Sequence, residues 1–161
     1  MELSREEYLN TLARKITAGG ALFFNNKNEL LLVKPNYKDN WNIPGGVTEA
    51  AEAPWEACQR EVMEEIGLNR SINQLLCIDH KYVPEEKAAE SLQFIFYGGV
   101  LTEEEIAKIK LQDSELTEFR FVPMREALKM VSQGMARRLP MCEEAIRDGQ
   151  TRLISKMEES S

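Results

Sequence analysis

Three glutamates close the run GGVTEAAEAPWEACQREVMEEIGL: Glu61, Glu64 and Glu65 stand at i, i+3 and i+4. On a helix that spacing crowds carboxylates onto one face, where each like-charged neighbour costs about 0.2–0.5 kcal/mol. Two readings account for such a stripe. One is a solvated helix face, whose weakness is the want of lysines one turn away; only Arg60, within reach of Glu56 or Glu64, offers relief. The other is a divalent-cation site. Mg2+ takes an octahedron of hard oxygens, commonly a few carboxylates completed by water and substrate phosphate. Glutamates one turn apart present oxygens toward one point, and a bound cation removes their repulsion.

The helix that must carry them has good boundary signals. Pro54 suits its first position and Gly67 the residue just past its end, while Ala53 is a poor N-cap. At 100° per residue Trp55, Val62 and Ile66 share a narrow arc that is expected to face the core, with the glutamates on a different arc roughly 140° away. Upstream, Ser4 to Glu7 forms a capping box for a short helix reaching about Arg14. Ile16–Phe24 reads as a strand in which Gly19 and Gly20 admit close packing, and Glu29–Lys34 as a second buried strand. Downstream, strands are expected at Gln74–Tyr82, Leu92–Leu101, Glu118–Val122 and Thr151–Ser155. A capping box at Thr102–Glu105 opens a short helix, and further helices are expected at Met124–Ser132 and Met141–Asp148. Strands alternating irregularly with helices imply an α/β fold, a mixed sheet with helices on both faces. The expected organisation is an N-terminal helical extension over 1–15, one domain over 16–156 and a disordered tail over 157–161.

Composition narrows the function classes. The chain has 161 residues, 43% hydrophobic and 29% charged, with a net charge of −7. That length fits one domain able to bury a core without staples. The acidic balance argues against a broad nucleic-acid surface, because phosphate binding rests on Lys and Arg. Cys58, Cys77 and Cys142 are widely spaced and odd in number, which reads as reduced thiols. The start, MELSREEYLN, lacks a secretory pattern, and no apolar run is long enough for a bilayer; the expected location is cytoplasmic, with no membrane partner.

The flanking residues decide between the two readings of the acidic stripe. Gly46, then Glu52 after five residues, then Arg60-Glu61-Val62-Met63-Glu64-Glu65-Ile66-Gly67-Leu68 after seven more, resembles the signature of the Nudix hydrolases, with every defining position filled. One neighbour departs from the commonest pattern: Ala51 stands where many members carry glycine, so the loop there is expected to bend differently. The resemblance implies an α/β/α sandwich with a mixed central sheet. It also implies hydrolysis of a nucleoside diphosphate linked to another group X, by water attack on phosphorus, with Mg2+ or Mn2+. Physical chemistry agrees: a diphosphate repels nucleophiles, so catalysis is positioning and charge neutralisation, both of which metal ions supply. A dication also lets an acidic protein take an acidic substrate.

By the same resemblance, Glu61, Glu64, Glu65 and the carbonyl of Gly46 match metal ligands, with Glu61 alternatively deprotonating the water. Glu52 and Arg60 match a pair that braces the loop against the helix. Glu49 is either a carboxylate behind the ligands or a solvated loop residue. Several members take the general base from a later loop, where Glu115 is favoured over Glu118, Glu85, Glu86 and Glu90. Trp41 either stacks on a base or wedges its loop onto the sheet. Lys34, Lys38 and Lys81 either meet substrate phosphates or face water. His80 reads as a packed or surface residue, the methionines as core filler, and the Arg137-Arg138 pair is too short to make an interaction patch. Pro84, sixteen residues beyond Leu68, is similar to a spacing of ADP-ribose-type members, though a loop proline explains it as well. The expected partner is a small nucleotide-like substrate; the residues leave X and a homodimer open. The competing functions are a silent nucleotide-binding module on the same fold and isoprenoid diphosphate isomerisation, which would need a reactive cysteine.

Overall fold

A computed structural model describes residues 2–82 and 90–157. The readings placed on Pro84, Glu85 and Glu86, and on the tail beyond Met157, lie outside the described residues. The elements run α1 (Arg5–Thr11), β1 (Ile16–Phe24), β2 (Leu30–Pro35), β3 (Gly45–Val47), α2 (Pro54–Ile66), β4 (Gln74–Tyr82) and β5 (Ser91–Val100). They continue with α3 (Glu103–Ala107), β6 (Leu116–Val122), α4 (Met124–Met130), α5 (Gln133–Asp148) and β7 (Arg152–Met157).

The strands form one mixed sheet in the order β6-β2-β1-β5-β4-β7, with β3 added to β1. β1 runs parallel to β5 and β4 parallel to β7, while the other pairings are antiparallel. Side chains alternate between faces with period two. Leu22, Phe24, Leu30 and Leu32 therefore join Ala127, Met135, Leu139 and Ala145 under α4 and α5. Their neighbours Ala21, Phe23, Leu31 and Val33 join Cys58, Val62 and Ile66 under α2. The apolar runs in β1 and β2 are continuous because both faces are covered, which is the α/β/α sandwich expected. No helix among the described residues is long and apolar enough to cross a membrane.

Three local differences from the sequence reading have physical causes. α5 starts eight residues before the expected Met141 and carries Pro140 inside it. Ser132 caps it, accepting from the Met135 N–H at 3.3 Å, and Met135, Leu139, Cys142 and Ala145 form a buried stripe across the proline. Interior proline costs about 3 kcal/mol, and each fully buried large apolar side chain contributes about 1.5–3 kcal/mol, so the stripe prevails. Second, β3 is only three residues of Gly-Gly-Val, too short to leave a periodic signal. Third, Trp55 does not face the core. α2 packs on β1 and on β3, which turns its buried arc toward the glutamates: Ala57, Cys58, Val62, Glu65 and Ile66 are buried and Trp55 is half exposed.

Candidate active site

The packing of α2 on β1 and β3 assembles the site. Gly19 on β1 pairs with Gly46 on β3, and a Cβ at Gly19 would stand 2.1 Å from the Pro54 carbonyl oxygen. Only glycine allows the first turn of α2 to come this close. A Cβ at Gly46 would lie 2.4 Å from Glu61 Oε1, so the bare backbone of Gly46 is what leaves room for that carboxylate. At the helix start Ala53 has no side-chain acceptor, and half a capping box remains: its N–H donates to Glu56 Oε2 at 2.8 Å. Glu56 is thereby spent on the helix end and does not pair with Arg60. At the other end Gly67 adopts φ 71° and donates to the Met63 carbonyl.

The three glutamates have unequal surroundings. Glu64 is half exposed and Glu61 largely covered, while Glu65 is buried and accepts a hydrogen bond from the Gly45 N–H at 3.1 Å. Burial pushes the Glu65 carboxyl up to about 8, opposed by the Gly45 bond and reinforced by the charges of Glu61, Glu115 and Glu64. Arg60 binds the other two, donating through Nη1 to Glu61 Oε1 at 2.8 Å and to Glu64 Oε2 at 3.2 Å. The rest of its guanidinium grips the loop: Nε and Nη2 donate to Glu52 at 2.7 and 3.1 Å, and Nη2 also to the Val47 carbonyl at 3.2 Å. Glu52 in turn accepts from the Glu49 N–H at 2.8 Å. Its bonds from Arg60 hold Glu52 below the usual carboxylate range, and those to Glu52 foremost hold Arg60 above its own. Glu49 itself is exposed, with Arg60 Nε 4.0 Å from its carboxylate.

Among the described residues no three acidic, His or Cys side chains converge on one point. The reason is visible: a guanidinium joins Glu61 to Glu64, and Glu65 is turned to a backbone N–H. The donor set is nevertheless that of a hard dication. Three carboxylates and a glycine backbone meet on one helix–strand seam, with one carboxyl disfavoured as an anion by burial and like charge. The residues fit Mg2+ or Mn2+, provided Glu61 and Glu64 exchange Arg60 for the ion.

Glu115 reaches this cluster through tertiary structure alone. The Lys110 and Gln112 N–H groups donate to the carbonyls of Ile66 and Glu65 at the end of α2, and the Asn36 N–H donates to the Glu115 carbonyl. The loop is thus pinned so that the Glu115 charge acts on Glu65. Among the described residues two rival carboxylates are engaged elsewhere. Glu118 pairs with Arg120 at 2.5 Å, and Glu90 binds Lys15 and, at 2.7 Å, His80.

A cleft opens beside Gly46. One cavity of about 230 Å3 is lined by Gly45, Gly46, Val47, Asn42 and Gln93 among others. A second, about 270 Å3, is adjacent and shares Asn42, Gln93 and Met135 with it. Trp41 lines the second cavity, yet the Arg120 guanidinium lies 5.0 Å from its ring centroid and its backbone is bridged to Val131. It wedges its loop as well as bordering the cleft. The Lys34 ammonium donates to the Lys38 and Pro35 carbonyls and ties the loop down, and Lys34 is not among the residues that line these two cavities. Lys38 and Lys81 do line the second cavity.

Sequence reasoning missed a charged cluster at that end. Asp79 on β4 is wholly buried and accepts at Oδ2 from Arg138 Nε at 2.6 Å and from Arg137 Nη2 at 2.9 Å. The available signal was an aspartate inside the apolar strand sequence LLCID and two arginines on what proved to be one helix. The cysteines are free and buried; burial, then the charges of Glu65 and Glu61, push the Cys58 thiol up to about 12.

Fold and site define a class: a three-layer sandwich whose one glutamate-rich helix packs on a Gly-Gly strand that also borders a cleft. A family model described as NUDIX domain matches residues 14–142, and the chain belongs to the Nudix family. The mouse protein named 8-oxo-dGDP phosphatase NUDT18 is 36% identical over 88 residues, covering 50% of this chain and 25% of that protein. The rat diphosphoinositol polyphosphate phosphohydrolase 2 is 43% identical over 53 residues, covering 32% of this chain and 30% of its own length. The chain thus matches about a quarter to a third of these relatives. A NUDIX hydrolase structure from Nitrosomonas europaea superposes with a TM-score of 0.69 at 19% identity, over 91% of this chain and 81% of that one, which is a likeness of fold.

Proposed function

We propose that the protein is a Mg2+-dependent hydrolase that cleaves the diphosphate of a nucleoside diphosphate linked to another moiety X, with water attacking phosphorus. The observation that carries this reading is the seating of Glu61 and Glu65 against the Gly45–Gly46 strand, with Glu64 joined to Glu61 through Arg60 and the Glu115 charge acting on Glu65, beside a cleft that Gly45 and Gly46 line. Glu61, Glu64, Glu65 and the Gly46 carbonyl would hold the metal; when bound, it would neutralise the diphosphate and acidify a water. Arg60 keeps Glu52 and the Val47 carbonyl when the glutamates let it go, so the loop stays braced. Glu115 accepts the proton of the attacking water. The backbone N–H groups and walls of the cleft orient the substrate, the step that dominates phosphoryl transfer. The two relatives' names have a diphosphate in common, on a nucleoside in one and on an inositol polyphosphate in the other. Burial pushes the Cys58 thiol up, which argues against that cysteine as the nucleophile isomerase chemistry would need.

The test is phosphate or monophosphate release from a panel of nucleoside diphosphate derivatives, with and without Mg2+. Metal-dependent release from at least one member is expected. A folded protein inert on every member would replace this reading with a nucleotide-binding module.

A further inference from the structure

Folding brings together two cysteines that the sequence keeps apart. Cys77 on β4 and Cys142 on α5 are separated by 65 positions in the chain, yet their sulfurs lie 3.4 Å from one another, the Cys142 thiol donating to Cys77 Sγ. Both thiols are free and wholly buried. They belong to the core under α4 and α5, whereas Cys58 belongs to the core under α2, on the opposite face of the sheet. The chemistry assigned to the Gly46 site uses none of the three. A bond between Cys77 and Cys142 asks each sulfur to move by less than about 1 Å, while α5 stays packed on β4.

The surroundings divide the pair into unequal partners. The hydrogen bond from Cys142 holds the Cys77 thiol below its usual range; burial and the Asp79 charge oppose this, and the Arg138 charge, one turn before Cys142 on α5, assists it. Cys142, which gives its hydrogen to that bond, is held above the range, and burial adds to the effect. One sulfur is thus favoured as a thiolate, and its neighbour keeps its proton until it is needed.

We propose that Cys77 and Cys142 are a modification site at which a peroxide joins them in a disulfide and fastens α5 to β4. The Cys77 sulfur attacks one oxygen of hydrogen peroxide, the O–O bond breaks, and a sulfenic acid forms as the other oxygen leaves as water with the Cys77 proton. The Cys142 sulfur then attacks the Cys77 sulfur, the S–O bond breaks, and the hydroxyl leaves as water with the Cys142 proton. Two thiols and one peroxide give one disulfide and two waters; the sulfurs are oxidised and the peroxide is reduced. Because Cys142 is already in contact, no second reagent has to enter, and a local opening that admits one small molecule is enough. Cys58 is left out, since the other two cysteines lie across the sheet from it and burial pushes its thiol up to about 12. Arg138 and Met135, one and two turns before Cys142, line the second cavity, so the cross-link also fixes one wall of the cleft.

The experiment treats the reduced, folded chain with a small excess of hydrogen peroxide, unfolds it in guanidinium chloride with iodoacetamide, and weighs it. Three thiols take the label before peroxide. Afterwards one is expected to, with two hydrogens lost and Cys77 joined to Cys142 in a proteolytic digest; dithiothreitol restores all three. The oxidised protein is expected to melt about 5–10 °C above the reduced one, because the bridge closes a long loop. Cys142→Ala is expected to abolish the bridge and the rise, and Cys58→Ala to keep both. The labelling of the wild type decides the matter if a buried alanine variant does not fold. Three labelled thiols after peroxide, added oxygen without a bridge, a bridge through Cys58 or between two chains, or a bridge that leaves melting unchanged overturns the proposal. None of these readouts depends on the reaction at the Gly46 site.

Discussion

The protein carries two charged clusters, one on each side of its sheet, and they are built differently. At the Gly46 end, carboxylates outnumber cations: one guanidinium serves Glu52, Glu61 and Glu64, and Glu65 has only a backbone N–H. On the other side, two guanidiniums share one buried carboxylate. The acidic cluster is partly exposed and sits on side chains that can turn, so its imbalance is suited to relief by an ion that comes and goes. The second cluster is held by a fully buried aspartate on β4, an interior strand of the sheet, so it is fixed in place. The difference teaches that a charge cluster at the surface can exchange its partners, whereas one anchored inside the sheet cannot.

Four variants sharpen or break this comparison. The largest effect belongs to the acidic end: Glu64→Gln or Glu65→Gln is expected to lower Mg2+-dependent turnover about 10²–10³-fold with the fold intact, measured by steady-state kinetics. Turnover unchanged in both would take these side chains out of the reaction. Next, Asp79→Asn is expected to cost about 3 kcal/mol in urea unfolding, because it strips the buried Arg138 guanidinium of its carboxylate; a loss below about 0.5 kcal/mol would show that Asp79 and Arg138 are not a buried charge pair in energetic terms.

The acidic end should respond in the opposite sense when metal is withheld. Glu65→Gln removes a disfavoured buried charge and keeps an acceptor for the Gly45 N–H, so the metal-free protein should gain on the order of 1 kcal/mol. Mg2+ should stabilise the wild type and not this variant. The smallest effect tests the loop between β3 and α2. Ala51 adopts φ 62°, a left-handed conformation costing about 1 kcal/mol for a residue with a Cβ. Ala51→Gly is expected to raise stability by about 0.5 kcal/mol in the same assay, and a decrease would mean that the loop gains nothing from glycine.

Ala51 also shows how far the sequence reached. Its departure from the family pattern was legible, and the strained backbone that makes it matter was not. The family, the sandwich class and the helix Pro54–Ile66 were readable because glycine, proline and the glutamate spacing act within a few residues of one another. Trp55 was misplaced because periodicity gives the relative angles of side chains on a helix and says nothing of which arc meets the sheet. Pro140 hid the first half of α5 because a local penalty was weighed without the buried stripe that outweighs it. Arg137 and Arg138 read as an isolated pair because their partner, Asp79, lies on β4, distant in sequence.

By itself, then, the sequence determined the chemistry on offer: hard oxygen ligands at helical spacing, glycines where backbones must touch, and a core patterned for a sheet covered on both sides. Tertiary structure decided what that chemistry is aimed at. It pinned the Glu115 loop to the end of α2, tied Lys34 to its own loop, buried Glu65, and gathered Lys38, Lys81 and Arg138 around one cavity. The physical reason is that burial and the sum of charges at a point depend on every element that packs there, and local sequence carries only one of them.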